Sequence, residues 1–452
     1  MLPRRQFLKT TTLGALGLSL PSLLRLDAKA IAGGRARAKS MIFLFLYGGP
    51  SHIDIWDMKP DAPSDFRGEF QPTQTTVPGL EMVELLPRMA RMARHFSVIR
   101  SLHHVNRNHQ PAACWMLTGT NPQNDNTAQL RPTPNDAPAL GSLAVRLAPV
   151  RDAAVPPFVM LPNRINDQNT LAQGQAGGWL GRGYDPMVIV QDPAAPDFHV
   201  EGFARHPDLG NHRLRQRRAL LQTLNPGALG KEAAPAAMNE FQQQAFDLIA
   251  SNRAQSAFNL TLEPASVRDR YGRTTFGQGC LLARRLIEAG ARVVTVHDCT
   301  LEGYHDWDTH NSNFKKLRDE LLPRLDLAYT ALLEDLLARG LLDDTVVYLG
   351  GEFGRTPRVG QIFSTAGATP DGRDHYPNCF SGILTGGLSR RGIVYGATDA
   401  TASSITRDPM TVADLAATLL AAMGLDPETI VRTRDDRPVV ALHGQAVAGL
   451  LR

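Results

Sequence analysis

The chain has 452 residues, 43% of them hydrophobic and 20% charged, with a formal net charge of +4. That length is enough to bury one large α/β core or two smaller ones. Arg4, Arg5, Lys9, Arg25 and Lys29 against Asp27 place a net +4 within residues 1–30, so the remainder is formally neutral and no nucleic-acid or anionic-membrane partner is expected.

The N-terminus opens on "PRRQFLKT", continues through the short apolar run "LGALGLSLPSLL" and exits at Ala28-Lys29-Ala30. A basic start, a short apolar run and a small-x-small exit form an export signal, and the run is too short and glycine-rich to span a bilayer. The Arg-Arg-x-Phe-Leu-Lys string resembles a twin-arginine signal. The expected division is therefore a signal peptide over residues 1–30 and a single domain over 31–452, periplasmic or otherwise exported, with the twin-arginine translocase as a partner in transit. No later stretch is apolar enough to form a stable transmembrane segment. The four cysteines, Cys114, Cys280, Cys299 and Cys379, show no paired metal-site spacing and are expected to be free or buried thiols, with a single bridge left open.

Past the signal, "SMIFLFLYGG" (40–49) is a continuous apolar run closed by two glycines, as in a strand buried on both faces. Residues 123–140 and 162–235 are rich in Pro, Gly, Asn and Gln and are expected as long surface insertions, with a helix over 235–260. "GCLLARRLIEAG" predicts a helix ending at Gly290 and "ARVVTVHDC" (291–299) a second buried strand. A long amphipathic helix is expected over 317–344, a third buried strand over 345–354, and a last helix over 411–425. Strands alternating with helices predict an α/β fold with a largely parallel central sheet and helices on both faces. Ligands in such sheets bind at the carboxyl ends of the strands. "GGPSHID", "HDCTLEGYHDWDTH" and "GGEFGRTP" each lie just past a predicted strand.

The segment "YHDWDTHN" (304–311) is the densest of these. Asp306 and His310 stand four apart and Asp308 and His310 two apart, so a helical turn brings the first pair together and an extended loop the second. Carboxylate oxygen with imidazole nitrogen suits zinc, manganese or iron. "GRDHYP" adds His375 beside Asp374, and Glu352 sits at the end of a buried strand, where a carboxylate must be paired, coordinated or protonated. A salt bridge from Glu352 to Arg355 or Arg358 is the alternative to coordination.

"LFLYGGPSHIDIWDMKPDAP", "GYHDWDTHNSNF", "LLDDTVVYLGGEFGRTP", "GRDHYP" and "PMTVADLAATLLAAMGLDP" together resemble the DUF1501 family, across nearly all of residues 40–450. The resemblance implies an exported bacterial protein whose fold is alkaline phosphatase/sulfatase-like. It also implies site residues. Glu352 stands where the sulfatase pattern Ser-Asp-His-Gly has its metal-binding Asp, and Phe353 where that pattern has His. Asp308 or Asp306, with His310, matches the Asp-x-x-x-His type of segment, and His375 the late histidine of the same metal site. The first strand's metal-binding Asp is replaced by candidates His52 and Asp54, displaced past two glycines. One metal held by Asp308, His310 and His375 is implied, with a second near Glu352 and Asp54. The expected divalent cations are zinc, manganese or calcium. The Cys-x-Pro-Ser-Arg nucleophile segment aligns with "HQPAA", which puts His109 at the nucleophile position and leaves no Ser, Thr or Cys there; Cys114 is offset by five residues. His109 is then a nucleophile, a metal ligand or general acid/base beside metal-activated water, or an unreactive hydrogen-bonding residue. His103 and His104 upstream are expected to be structural. Arg355 is expected to bind an anionic group through its guanidinium fork. The function expected from these residues is exported, metal-dependent hydrolysis of a sulfate or phosphate ester, the substrate being a small anionic ester or glycan. A non-catalytic binding protein for an anionic glycan or a protein ligand is the alternative.

Overall fold

The computed structural model describes residues 38–122, 131–150, 154–167, 169–200 and 251–452, together with residues 213, 216, 219 and 220. The expected signal peptide at 1–30, and most of the helix expected over 235–260, lie outside the described residues. Asn252–Phe258, at the end of that stretch, is helical.

One nine-stranded sheet organises the described residues. Its strands are β1 (Ser40–Leu46), β2 (Ser97–His103), β3 (Phe158–Leu161), β4 (Met187–Val188), β5 (Val293–Asp298), β6 (Thr345–Gly350), β7 (Phe380–Thr385), β8 (Val394–Tyr395) and β9 (Met410–Thr411). The spatial order is β8-β2-β7-β6-β1-β5-β3-β4, with β9 also paired to β2. Only β7 runs against the others: it is antiparallel to β6 and to β2, and the remaining pairings are parallel. The sheet is thus largely parallel, as the alternation of elements predicts. β4 comes from within the stretch expected as a surface insertion, so part of 162–235 is sheet edge instead.

The continuous apolar run of β1 has its reason in the two layers around it. Ile42, Leu44 and Leu46 face one core, shared with helices Thr275–Glu288 and Leu322–Ala338. Met41, Phe43 and Phe45 face the other, shared with helices His109–Thr118, Leu140–Leu147 and Val412–Ala422. Each such fully buried side chain contributes roughly 1.5–3 kcal/mol, so polar residues are excluded from both faces of the central strands. In chain order these helices are α1 (His109–Thr118), α2 (Leu140–Leu147), α3 (Thr275–Glu288), α4 (Leu322–Ala338) and α5 (Val412–Ala422). A capping box between Thr411 and Asp414 starts α5. The helix expected over 317–344 stops at Ala338, because Gly340 with φ of +66° turns the chain out of the helix. No helix among the described residues is long and apolar enough to cross a membrane.

This topology decides where the polar loops meet. β6, β1 and β5 are adjacent and parallel, so the segments after Gly350, Leu46 and Asp298 leave the same edge of the sheet. β2 points the same way and delivers the chain to α1; β7, being antiparallel, enters at that edge from His375–Tyr376. Gly48 is what lets two of these loops touch. It has φ of +124°, and a Cβ there would fall 2.4 Å from the backbone nitrogen of Asp308. The Trp307 amide donates to the Tyr47 carbonyl at 3.0 Å, tying the 307–308 backbone to the end of β1. Gly48→Ala is expected to cost about 1–3 kcal/mol in denaturant unfolding and to displace Asp308. An unchanged midpoint would show that this close approach is not required.

Candidate metal centre

At that edge one Nε2 from each of His109, His310 and His375, with a carboxylate oxygen of Asp308, converge within 4.8 Å of one another. His310 Nε2 lies 2.8 Å from His375 Nε2 and 2.9 Å from Asp308 Oδ1. His375 Nε2 is 3.3 Å from the same oxygen, and His109 Nε2 is 3.4 Å from Asp308 Oδ2. His109 opens α1, His375 precedes β7, and Asp308 and His310 follow β5.

The other nitrogen of each ring is what fixes its inward orientation. His375 Nδ1 donates to the carbonyl of Arg107 at 2.6 Å, and His310 Nδ1 donates to the carbonyl of Gly367. His109 Nδ1 donates to Glu352 Oε1 at 2.5 Å. A neutral imidazole with its proton on Nδ1 has a bare lone pair on Nε2. Burial, and then the positive charge on His109, push His375 down to about 3, so its inward nitrogen stays unprotonated. Burial opposes charge on His109 too, but Asp308 and Glu352 outweigh it and push that ring up to about 9. Burial would also raise Asp308; Arg355 and then His109 hold it well below the usual carboxylate range. His109 Nε2 is buried and has no hydrogen-bond partner. Across 2.8 Å the two Nε2 atoms either share a proton in a hydrogen bond or, with both lone pairs bare, would need a cation among them; the donor set fits a bound metal in the second case. Ligands at about 2.0–2.1 Å from a tetrahedral zinc stand about 3.3 Å apart; the close contacts of 2.8–3.4 Å, to Oδ1 for His310 and His375 and to Oδ2 for His109, lie near that spacing, within a set that spreads to 4.8 Å.

Glu352 is a support in this arrangement, not a ligand. Both its oxygens accept from the amide of Gly48, at 2.9 and 3.1 Å, while Oε1 holds His109. The carboxylate–histidine pair fixes the tautomer that presents Nε2 inward. The salt bridge considered for Glu352 does not form: Arg358 pairs with Asp65, and Arg355 pairs with Asp308. Phe353 closes one wall, with ring centroids 4.5 Å from His375 and 5.1 Å from His109.

Four other candidate residues, Arg355, Asp54, Asp306 and His52, are committed to partners outside the ligand set or to holding a ligand in place. Arg355, fully buried, donates to the carbonyls of Gly49, Gly48, Trp307 and Arg373 and to Asp308 Oδ1. Its fork is spent on the scaffold and on a ligand, and the side chain is fully buried, so it is not presented to a substrate anion. Asp54 is not at the centre either: both oxygens pair with the guanidinium of Arg373 at 2.8 Å, and Ser51 and Asn313 donate to Oδ2. Through Asn313, whose Oδ1 accepts from Thr309, Asp54 props the backbone between the two ligands Asp308 and His310. Asp306 turns away to Arg324, leaving Asp308 as the carboxylate that joins His310. His52 is buried against the Ala402 carbonyl and Cys379. His104 donates to the Glu352 carbonyl and accepts from the Asn106 amide; burial pushes it down to about 4, a structural role as expected. All four cysteines are free and buried.

One residue of "YHDWDTHN" was not singled out from the sequence. His305 stacks on His109 at 4.3 Å between ring centroids and places Nδ1 3.3 Å from Asp308 Oδ2. Its 27% exposure, against 4% for His375 and 6% for His109, puts it on the solvent side with Asp308 and His310. Only the crowding of the octet hinted at it, because helical or turn spacing gives no reason to choose His305 over His310.

These features define a candidate metalloprotein, with three histidines and one carboxylate at the carboxyl edge of a largely parallel α/β sheet. The chain belongs to the family described as protein of unknown function DUF1501, whose model matches residues 38–451. Comparison with curated proteins gives no match. Among solved structures, the chain is similar to a sulfatase from Pseudoalteromonas sp., with 11% identity, a TM-score of 0.41 and coverage of 94% of this chain and 76% of that one. It is also similar to a phosphonate monoester hydrolase from Silicibacter pomeroyi, with 13% identity, a TM-score of 0.38 and coverage of 91% and 76%. A third is the lipoteichoic acid synthase from Listeria monocytogenes, with 10% identity, a TM-score of 0.38 and coverage of 88% and 78%. At such values the chemistry has to be read from the side chains themselves.

Two substitutions separate ligand, support and scaffold. Glu352→Gln is expected to weaken metal affinity by about 10–100-fold, measured by competition with a chromogenic chelator. Asp54→Asn leaves Arg373 buried without its counter-charge and is expected to cost about 3–5 kcal/mol of stability, while the folded variant keeps its metal stoichiometry. Loss of the ion from folded Asp54→Asn would contradict a purely scaffold role for Asp54.

Proposed function

We propose that this protein is an exported, metal-dependent hydrolase of small anionic esters, sulfate or phosphate, with His109, His310, His375 and Asp308 holding one divalent cation. The observation that carries the reading is the convergence of three histidine Nε2 atoms on one carboxylate, with each Nδ1 committed to an outer acceptor. Calcium takes six to eight oxygen ligands; three nitrogens and one carboxylate favour zinc, manganese or iron instead. Such a cation supplies Lewis acidity and lowers the pKa of water at neutral pH.

The charge balance favours an anionic substrate. A cation held by His109 would displace the second proton that Asp308 and Glu352 favour on that ring; with the histidines then neutral, Asp308 and Glu352 against Arg355 leave one negative charge, and a dication would bring the centre to +1. An anionic ester then neutralises the site where water is partly excluded and electrostatic terms are strong. No side-chain nucleophile is needed. His109 is tied to Glu352 and turned into the ligand set, which fits the ligand role among those considered for it and not the covalent one. Asp308 and His310, the partly exposed ligands, and His305 beside them mark the face from which substrate enters. Export is supported by the twin-arginine-like string at residues 3–10, a route for folded, cofactor-loaded proteins.

A second reading has one observation in its favour. Four protein donors fill a tetrahedral zinc, as in structural sites, whereas catalytic zinc keeps a position open. On that reading the protein binds an anionic glycan or a protein ligand without turning it over. Assay of the zinc-, manganese- or iron-loaded protein on 4-nitrophenyl sulfate and phosphate separates the two. Hydrolysis that falls at least about 100-fold in His310→Ala, with the unfolding midpoint retained, is the expected result. Turnover unchanged in that variant contradicts the assignment, and a loaded protein inert on every ester favours the binding reading.

A further inference from the structure

With Arg355 fully buried and turned to the scaffold, an anionic group of the substrate is left for another side chain to recognise, and we infer that Arg107 does so. The inference rests on the metal-centre reading above. Arg107 lies in the loop between β2 and α1, and its carbonyl oxygen is the acceptor for His375 Nδ1 at 2.6 Å. The backbone of Arg107 is therefore fixed one imidazole's width from the inward nitrogens. Its side chain is exposed and lies over Phe363, with the guanidinium carbon 4.2 Å from the ring centroid and Nη1 3.3 Å from the Phe363 carbonyl. Its remaining donors meet no protein acceptor among the described residues.

Several other cations on these loops are held by other partners. Arg373 is buried on Asp54 and on the carbonyls of Thr356, Pro357 and Phe66. Arg324 pairs with Asp298 and Asp306, away from the ligands. Lys316 reaches the carbonyl oxygen of Asp308 at 3.5 Å. Arg107 combines an open fork with a backbone anchored directly on the ligand His375. A fork of this kind suits two oxygens of a tetrahedral oxyanion, and the Phe363 face keeps the plane ordered before substrate arrives. The Phe363 support is itself fixed, because its amide donates to Asp374 Oδ2 at 2.7 Å. Asp374 in turn lies 3.5 Å from His310 Nδ1, so the anion-binding arm and the ligands share one hydrogen-bonded frame.

The test is binding, not turnover. Inorganic phosphate and inorganic sulfate are titrated calorimetrically into the metal-loaded full-length chain, with metal content counted in each sample. Arg107→Ala is expected to weaken the anion Kd by about tenfold or more with the metal count unchanged. Arg107→Lys, which keeps the charge without the fork, is expected to fall between the two. Equal anion affinity in wild type and Arg107→Ala, both metal-loaded, overturns the role of Arg107 and leaves the centre standing. A wild-type chain that takes up no metal overturns both.

Discussion

Two imidazole nitrogens, those of His310 and His375, rest 2.8 Å apart, a distance that only a shared proton or a cation among their lone pairs sustains. In this protein each ring is already held by its other nitrogen: His375 by the Arg107 carbonyl, His310 by the Gly367 carbonyl, and His109 by Glu352. The rings cannot turn to relieve the repulsion without breaking a buried hydrogen bond, which costs about 1–3 kcal/mol. The structure therefore concentrates electron density at one point and surrounds that point with groups that prevent it from relaxing. A divalent cation is the simple resolution, and the rest of the site is best understood as the means of keeping the cavity for it.

That purpose explains how the neighbouring charges are distributed. Two fully buried guanidiniums, Arg355 and Arg373, stand close to the centre in sequence, and neither is available to a ligand. Arg355 binds the Gly48–Gly49 turn and Asp308 together, so the end of β1 and the loop after β5 move as one body. Arg373 takes Asp54 and, by way of Asn313 and Thr309, sets the backbone between the two ligands of that loop. The charge on these two side chains is used for positioning. Recognition is left to the rim, where side chains remain exposed.

Much of the architecture was legible beforehand because its cause is local. The runs at 40–46, 293–298 and 345–350 are apolar at every position, since both faces of a central parallel strand are buried. The loops after them had to share an edge, and Asp308, His310 and His375 stood out there by residue type. What could not be read has a common reason as well. Arg355, Asp54 and Glu352 were assigned by their place in the chain, but where their atoms go depends on partners about 300 residues away. The contribution of 162–200 to the sheet edge, the antiparallel course of β7 and the stacking of His305 on His109 are likewise set by tertiary pairing, which leaves no periodicity in the chain.

The central claim is that these four side chains hold one cation. Elemental analysis of the full-length protein, purified without chelators and again after refilling with zinc, manganese or iron, tests it directly beside a His310→Ala/His375→Ala double variant. The account predicts close to one equivalent of metal per wild-type chain and its loss from a double variant that still folds. A wild-type protein that retains none of the three ions after refilling, or a folded double variant that binds as much as the wild type, would contradict it.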